Sequence, residues 1–222
     1  MKRFSANCGV KPNSRIIGGA PAGPYSMPWQ VALVEPGNPT PFCGGTLISD
    51  RHVLTAAHCT NQNGGVWDVM VGEHDSSDSS DGTRHAKCRF QNHPDYIESP
   101  WWERDLNNDF AIVTLSQPVT IGTRANYACL PTVDEMGGNF LDDKTVTVSG
   151  WGNRCGNGTG WCPPTDLHVV DLPAMSNSAC QQLVPDLLAF PITDSMLCAG
   201  RTGDNAVGAC HGDSGGKCTI FE

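Results

Sequence analysis

A chain of 222 residues is long enough to bury a substantial core, and fits one large all-β unit or two small domains. Only 17% of its residues are charged, and 25 Gly and 16 Pro suit many short strands joined by turns better than a helical bundle, while its aromatic and aliphatic content excludes disorder. A formal net charge of -9, with 14 scattered Lys and Arg, excludes the clustered basic footprint of a nucleic-acid-binding surface.

Eleven cysteines point to an oxidising compartment where disulfides persist, and so to secretion. The glycosylation triplet NGT at Asn157 agrees with that reading. The opening MKRFSANCGV holds basic residues but no apolar run of signal-peptide length, and no later stretch is apolar enough to span a membrane. The expectation is a secreted chain whose targeting segment lies outside this sequence.

In chain order, strands are predicted at WQVALV near Trp29, GTLIS near Leu47 and HVLTA near Val53. The acidic, Ser-rich HDSSDSSDG from His74 to Gly82 reads as an exposed loop, whose Asp residues could hold calcium with Glu73 or simply be solvated. FAIVTL near Ile112 is the next strand. The turn-rich stretch from Gln117 to Gly138 reads as a linker between two β halves. TVTVSGW alternates Val146 and Val148 with Thr and Ser, the period of a half-buried strand, and LHVVDL near Val169 follows it. SNSACQQLV carries the one helix signal, with Ser176 or Asn177 as its cap. The fold class is therefore all-β and antiparallel.

Three short segments carry chemistry: TAAHC offers His58, NNDFAIVTL offers Asp109 and GDSGG offers Ser214. Each alone has a structural explanation. Together they supply what acyl transfer requires: a hydroxyl nucleophile, an imidazole to take its proton and a carboxylate to fix the imidazole's tautomer. Glycines around Ser214 would leave backbone N–H groups open to an oxyanion.

IIGG at Ile16, TAAHC, NDFAIVTL, SGWG at Ser149 and GDSGG, in this order, resemble the trypsin/chymotrypsin family of serine proteases from residue 16 to 216. The resemblance implies two antiparallel six-stranded β-barrels, at 16–122 and 123–222, after an activation peptide at 1–15. It implies that His58 is the general base and acid, that Asp109 orients it, that Ser214 attacks the scissile carbonyl, and that the N–H groups of Gly212 and Ser214 form the oxyanion hole. It further implies cleavage between Arg15 and Ile16 by a protease of trypsin-like preference, after which the freed amine pairs with Asp213. Gly208 stands at the base of the primary pocket where trypsins carry Asp, with Ala209 and His211 beside it, so the pocket is expected to favour apolar side chains. Asp204 lies too far upstream to replace that Asp.

By the same resemblance Cys8 pairs with Cys129, Cys43 with Cys59, and Cys180 with Cys198. Cys155 and Cys162 lie close together in a Gly-rich loop and could pair locally; a metal reading is poorer, because no second pair with ligand spacing accompanies them. Cys88, Cys210 and Cys218 are left unassigned. After GDSGG this sequence reads KCTIFE, where the family continues with Pro, a pocket-wall segment, further strands and a C-terminal helix. The second barrel is therefore expected to be incomplete and Cys210 to lack its usual partner. Expected partners are protein or peptide substrates, an activating protease and protein inhibitors, with no nucleic acid and no membrane, the protein acting as a monomer. The alternative is a non-catalytic homologue, or an inactive truncated product, that acts by binding.

Overall fold

A computed structural model describes residues 8–10, 19–86, 88–98, 106–132, 144–155, 160–183, 192–201, 208–216 and 218–220. Apolar, β-branched runs bounded by turn residues become its strands, since such side chains pack well on a pleated surface. These are β1 (Ala20–Pro21), β2 (Gln30–Val34), β3 (Pro41–Leu47), β4 (His52–Thr55), β5 (Asp68–Val71), β6 (Thr83–His85), β7 (Arg89–Asn92), β8 (Ala111–Thr114), β9 (Thr145–Gly150), β10 (His168–Met175), β11 (Cys198–Ala199) and β12 (Cys218–Ile220). Two short helices, α1 (Ala57–Thr60) and α2 (Asn177–Leu183), and a 3-10 turn at Gln62–Gly65 complete the described elements.

The strands form two antiparallel sheets. A seven-stranded sheet runs β6-β5-β2-β3-β4-β8-β7, and a five-stranded sheet runs β1-β10-β9-β12 with β11 on β10. The expected count of six strands in each is thus not the count among the described residues. β1 precedes the whole first sheet in sequence yet pairs Ala20 with Val169 and Pro21 with His168 in the second, so the first half lends a strand to the other. The linker stretch, where described, is a strap bonded to the first sheet: the N–H groups of Val119, Asn126 and Ala128 donate to the carbonyls of Asp50, Pro28 and Leu47.

The main core gathers Trp29, Val31, Leu33, Leu47, Val53, Val69, Val113 and Leu115, and extends to Trp151, Leu167 and Val169 of the second half. Each such side chain contributes about 1.5–3 kcal/mol by leaving water. A smaller cluster of Val146, Val148, Leu172 and Ala174 lies within the second sheet.

The half-buried reading of β9 is corrected here. Thr147 and Ser149 are buried along with Val146 and Val148, because their hydroxyls find partners inside. Thr147 Oγ1 donates to Asp171 Oδ1 at 2.5 Å, and Ser149 Oγ donates to Gln30 Oε1 at 2.7 Å, which links the two sheets. A period of two in hydrophobicity marks one wet face only when the other face's polar groups have no internal partners.

A second link is made by backbone. The Gly44 N–H donates to the Ser214 carbonyl at 2.7 Å, and Thr55 Oγ1 donates to the Gly44 carbonyl at 2.7 Å. A Cβ on Gly215 would lie 2.3 Å from Thr55 Oγ1 and 2.5 Å from the Gly44 carbonyl, at a φ of +74°. Only glycine fits there.

The loop from His74 to Gly82 is exposed at its tip but closes around Asp81, which is 6% exposed. Asp81 accepts from the Tyr25 hydroxyl and from the N–H groups of His74, Asp75 and Gly82, with Arg124 at 3.4 Å. Neighbouring Glu73 is buried, and its Oε1 has no hydrogen-bond partner. Burial, and then the nearby Asp81 charge, push the Glu73 carboxyl up to about 8. At the far end of the chain Ser176 caps α2, accepting from the Ala179 N–H, while Asn177 Nδ2 donates to the carbonyls of Thr193 and Met196.

Two measurements test this account. Gly215→Ala is expected to lose about 2–4 kcal/mol in denaturant unfolding, because strained backbone and a close contact coincide. A carboxyl raised in the folded state makes stability fall as pH rises from its unfolded value of 4.5 to about 8, above which the penalty is constant. Glu73→Gln should therefore be more stable than the parent by about 1–3 kcal/mol at pH 8 and match it at pH 4, in unfolding measurements without added calcium.

Candidate active site

His58 sits on α1, a single turn that follows β4 directly. Its preceding residue, Ala56, offers no side-chain cap to the turn's free N–H groups. Asp109 supplies that function from the start of β8. Its Oδ1 accepts the His58 backbone N–H at 2.8 Å and its Oδ2 accepts His58 Nδ1–H at 2.6 Å. One carboxylate thus holds both the backbone and the ring of the same residue. Asn108, immediately before it, adopts a φ of 56°, which asparagine tolerates better than most residues, and the Phe110 N–H bonds back to the Asn108 carbonyl at 2.7 Å.

Burial pushes the Asp109 carboxyl up, but hydrogen bonds and charge from His58, with help from the Ala57 N–H, outweigh it and hold the group below its ordinary range. Asp109 is therefore ionised at neutral pH and can only accept, so the proton it shares lies on His58 Nδ1. That leaves Nε2 as the ring's lone-pair nitrogen. Nε2 lies 3.7 Å from Cys59 Sγ, and among the described residues no hydrogen bond joins it to Ser214.

Ser214 is brought over from the second half by the glycine turn. Gly212 is buried with a φ of +98°, where a Cβ would meet Gly152 Cα at 3.2 Å and Trp161 Cη2 at 3.5 Å. Among the described residues, neither the Gly212 N–H nor the Ser214 N–H has an intramolecular acceptor. Gly208, Ala209 and His211 are all exposed, and the His211 carbonyl accepts the Asn153 N–H at 2.7 Å.

Asp213 is held by two backbone donors. Its Oδ1 accepts the Gly152 N–H at 2.8 Å and its Oδ2 accepts the Cys210 N–H at 3.0 Å. Glycines at 150 and 152 make room for it, since a Cβ at either would overlap its oxygens at 2.1 and 2.2 Å. Burial pushes this carboxyl up, more than the two backbone donors draw it down. Arg15, Ile16, Asp204 and Asn157 lie outside the described residues.

Disulfides join Cys8 to Cys129, Cys43 to Cys59, Cys155 to Cys162 and Cys180 to Cys198. Cys88 and Cys210 are free thiols, and burial pushes the Cys88 thiol up to about 11, which makes it unreactive. Cys43, His58 and Cys59 approach one another as metal ligands would, but the two sulfurs are bonded to each other and offer no thiolates. In the acidic loop, Asp75 and Asp78 bond to Ser77 and Ser80, and Glu73 Oε1 is the buried oxygen without a hydrogen bond.

Sequence reasoning missed Gln30, Gly44, Thr55, Asn153 and Trp161, which position or flank this cluster. The Gly44–Gly45 pair inside a strand was a usable signal of close backbone approach.

The Trypsin family model matches residues 16–218. Venom serine protease Bi-VSP of Bombus ignitus is 35% identical over 217 residues, covering 94% of this chain and 58% of that protein. Chymotrypsin-C of Rattus norvegicus is 35% identical over 208 residues, covering 92% of this chain and 72% of that protein. The solved structure of neuropsin, a serine protease expressed in the limbic system of mouse brain, superposes with a TM-score of 0.73 at 28% identity, over 92% of this chain and 82% of that one. The two sheets are thus the two barrels of the trypsin-like fold, the second less closed than the first. With this extent of match, the chain belongs to the trypsin family of serine proteases.

Proposed function

We propose that the protein is a secreted serine endopeptidase made as a zymogen, activated by cleavage after Arg15, and selective for apolar residues before the scissile bond. The observation that carries this is the His58–Asp109 pair, at 2.6 Å between Nδ1 and Oδ2, on the element that follows the strand against which the Ser214 turn is docked.

In this reading Nε2 takes the Ser214 proton as Oγ attacks the carbonyl carbon. The resulting imidazolium is stabilised by ionised Asp109, which does not itself take the proton. The N–H groups of Gly212 and Ser214 receive the oxyanion. His58 then passes its proton to the leaving amine, the bond to the amine breaks, and water repeats the sequence to release the acyl group. Exposed Gly208 and Ala209 bring no carboxylate to the primary pocket, which supports apolar selectivity. Four disulfides support an oxidising compartment, and among the described residues no helix is long and apolar enough to cross a membrane. Protein substrates and protein inhibitors would use the same cleft, with the enzyme monomeric.

A second reading, a homologue that binds without cleaving, is favoured by the position of Nε2 against Cys59 Sγ rather than in a bond to Ser214. Hydrogen bonds of this kind often form only with substrate in place. The experiment that separates the readings is fluorophosphonate labelling of the full-length protein after cleavage at Arg15. Labelling that vanishes in Ser214→Ala supports the protease; an unlabelled parent sinks it. Asp109→Asn is expected to lower turnover on the order of 10⁴-fold, the size characteristic of this triad, measured on a peptide substrate.

Asp213 gives a separate prediction. Its raised carboxyl means that the ionised form costs stability at pH values above the unfolded value of 3.8. Asp213→Asn removes that cost but turns an amide N–H₂ toward one of two backbone donors, so the uncleaved variant should melt within about 1 kcal/mol of the parent at pH 7. After cleavage at Arg15 it should gain no activity, because no carboxylate remains for the new amine; a normal gain would remove Asp213 from the activation step.

A further inference from the structure

The carboxylate that holds His58 stands between two fixed points. On one side β8 begins at Ala111, which pairs with Thr55 and Asn92, and the Phe110 carbonyl accepts the His93 N–H at 2.9 Å. On the other side the chain turns at Asn107 and Asn108, the latter with a φ of 56°, before it reaches Asp109. This turn continues no strand, and its support comes from the second half. Asn107 Oδ1 accepts from the Thr193 hydroxyl at 2.7 Å and from the Ser195 hydroxyl. An amide oxygen has two lone pairs, so these two donors fill it.

The donors are themselves held. Asn177 Nδ2 donates to the Thr193 carbonyl at 2.8 Å and to the Met196 carbonyl at 3.0 Å, and the Met196 N–H donates to the Thr193 carbonyl at 3.0 Å. Gln181 Oε1 accepts the Ile192 N–H at 2.8 Å. Asn177 and Gln181 belong to α2, and the Cys180–Cys198 disulfide closes the same segment. Asn107 therefore bonds to an ordered turn, at sequence separations of 86 from Thr193 and 88 from Ser195. The contact is partly open to solvent, so water replaces it at little cost in global stability. What it fixes is a point two residues before Asp109.

We propose that Asn107 is a positioning residue for the His58–Asp109 pair: its amide oxygen, held by Thr193 and Ser195, keeps Asp109 at bonding distance from both the backbone and the ring of His58. This rests on the protease reading given above. The second half then sets the geometry of the base as well as supplying the nucleophile. In that reading Asp109 keeps the ring in its working tautomer and stabilises the imidazolium that forms as Ser214 attacks. The interaction strengthens as charge develops on the ring, so slack in the turn lowers kcat and leaves KM in place.

The test uses the full-length protein cleaved after Arg15, a peptide substrate, and titration with a fluorophosphonate to count competent sites. Asn107→Ala should lower kcat per competent site about tenfold at unchanged KM, as a small displacement of the carboxylate would. Removing the donors instead, with Thr193→Val and Ser195→Ala together, should lower it about as much. All three substitutions combined should cost no more than either set alone, because both sets break the same contact. Thr193→Ser with Ser195→Thr keeps both hydroxyls and should match the parent. Losses that add would overturn the inference, as would fewer competent sites with parental turnover at each, which would assign Asn107 to stability alone. A parent that labels and cleaves while Asn107→Ala leaves kcat unchanged overturns this inference and spares the protease reading. A parent that neither labels nor cleaves overturns both.

Discussion

The proposed nucleophile and its base are brought together by a backbone approach that no side chain could survive. Gly215 rests against Thr55 Oγ1 and the Gly44 carbonyl, while the Ser214 carbonyl takes the Gly44 N–H. These contacts tie the turn of one half to β3 and β4 of the other, and α1 with His58 follows β4 with only Ala56 between. Positional error is costly in such a site, since a displacement of about 1 Å can lose on the order of a hundredfold in rate. The glycines of GDSGG therefore act twice. They expose N–H groups around Ser214, and they let two separately formed sheets meet at bonding distance.

Beside the apolar core that spans both halves, specific polar bonds cross the junction and favour one relative placement of the halves. Ser149 donates to Gln30, whose own amide donates to the Val31 carbonyl. Trp151 Nε1 donates to the His74 carbonyl at 3.2 Å, and the Leu167 N–H reaches the same carbonyl at 2.9 Å. Asn107 Oδ1, from the segment leading to Asp109, accepts from Thr193 and Ser195 of the second half. An apolar interface could slide at small cost, whereas breaking the buried Ser149–Gln30 bond would strand a buried group at a cost of about 1–3 kcal/mol if the halves shift. Asp213 extends the same logic, since its carboxylate occupies the space that Gly150 and Gly152 vacate.

Much of this was legible from residue pattern. The six apolar runs named from the sequence all fall on strands, and SNSACQQLV contains α2 with Ser176 as its cap. What pattern did not reveal was short or polar. β6, TRH, and β7, RFQN, carry no apolar alternation and hold their places by edge pairing to β5 and β8. β1 has two residues, and its place depends on a partner far along the chain. The Thr and Ser of β9 were read as a wet face because nothing local announces that Asp171 and Gln30 await them. For the site, the residue types at 58, 109 and 214 are readable because the proposed chemistry calls for them. The residues that aim them, Thr55 and Asn153, are generic polar residues whose role exists only in three dimensions.

The disulfides show how the chain divides stability from placement. In the chain-entropy view, restraint of the unfolded state grows with the logarithm of loop length, so a bridge of sequence separation 121, Cys8–Cys129, restrains it by about 2–3 kcal/mol more than one of separation 7, Cys155–Cys162. The short bridge therefore adds the least to global stability, and its value lies in the geometry of what it closes. It fixes a loop whose base is already bonded to the nucleophile turn and whose indole lies beside Gly212. Cys43–Cys59 is intermediate, with separation 16, and connects β3, which bonds Ser214, to α1, which carries His58. Along this series the covalent links shift from holding the chain together to holding the surroundings of the nucleophile turn in shape.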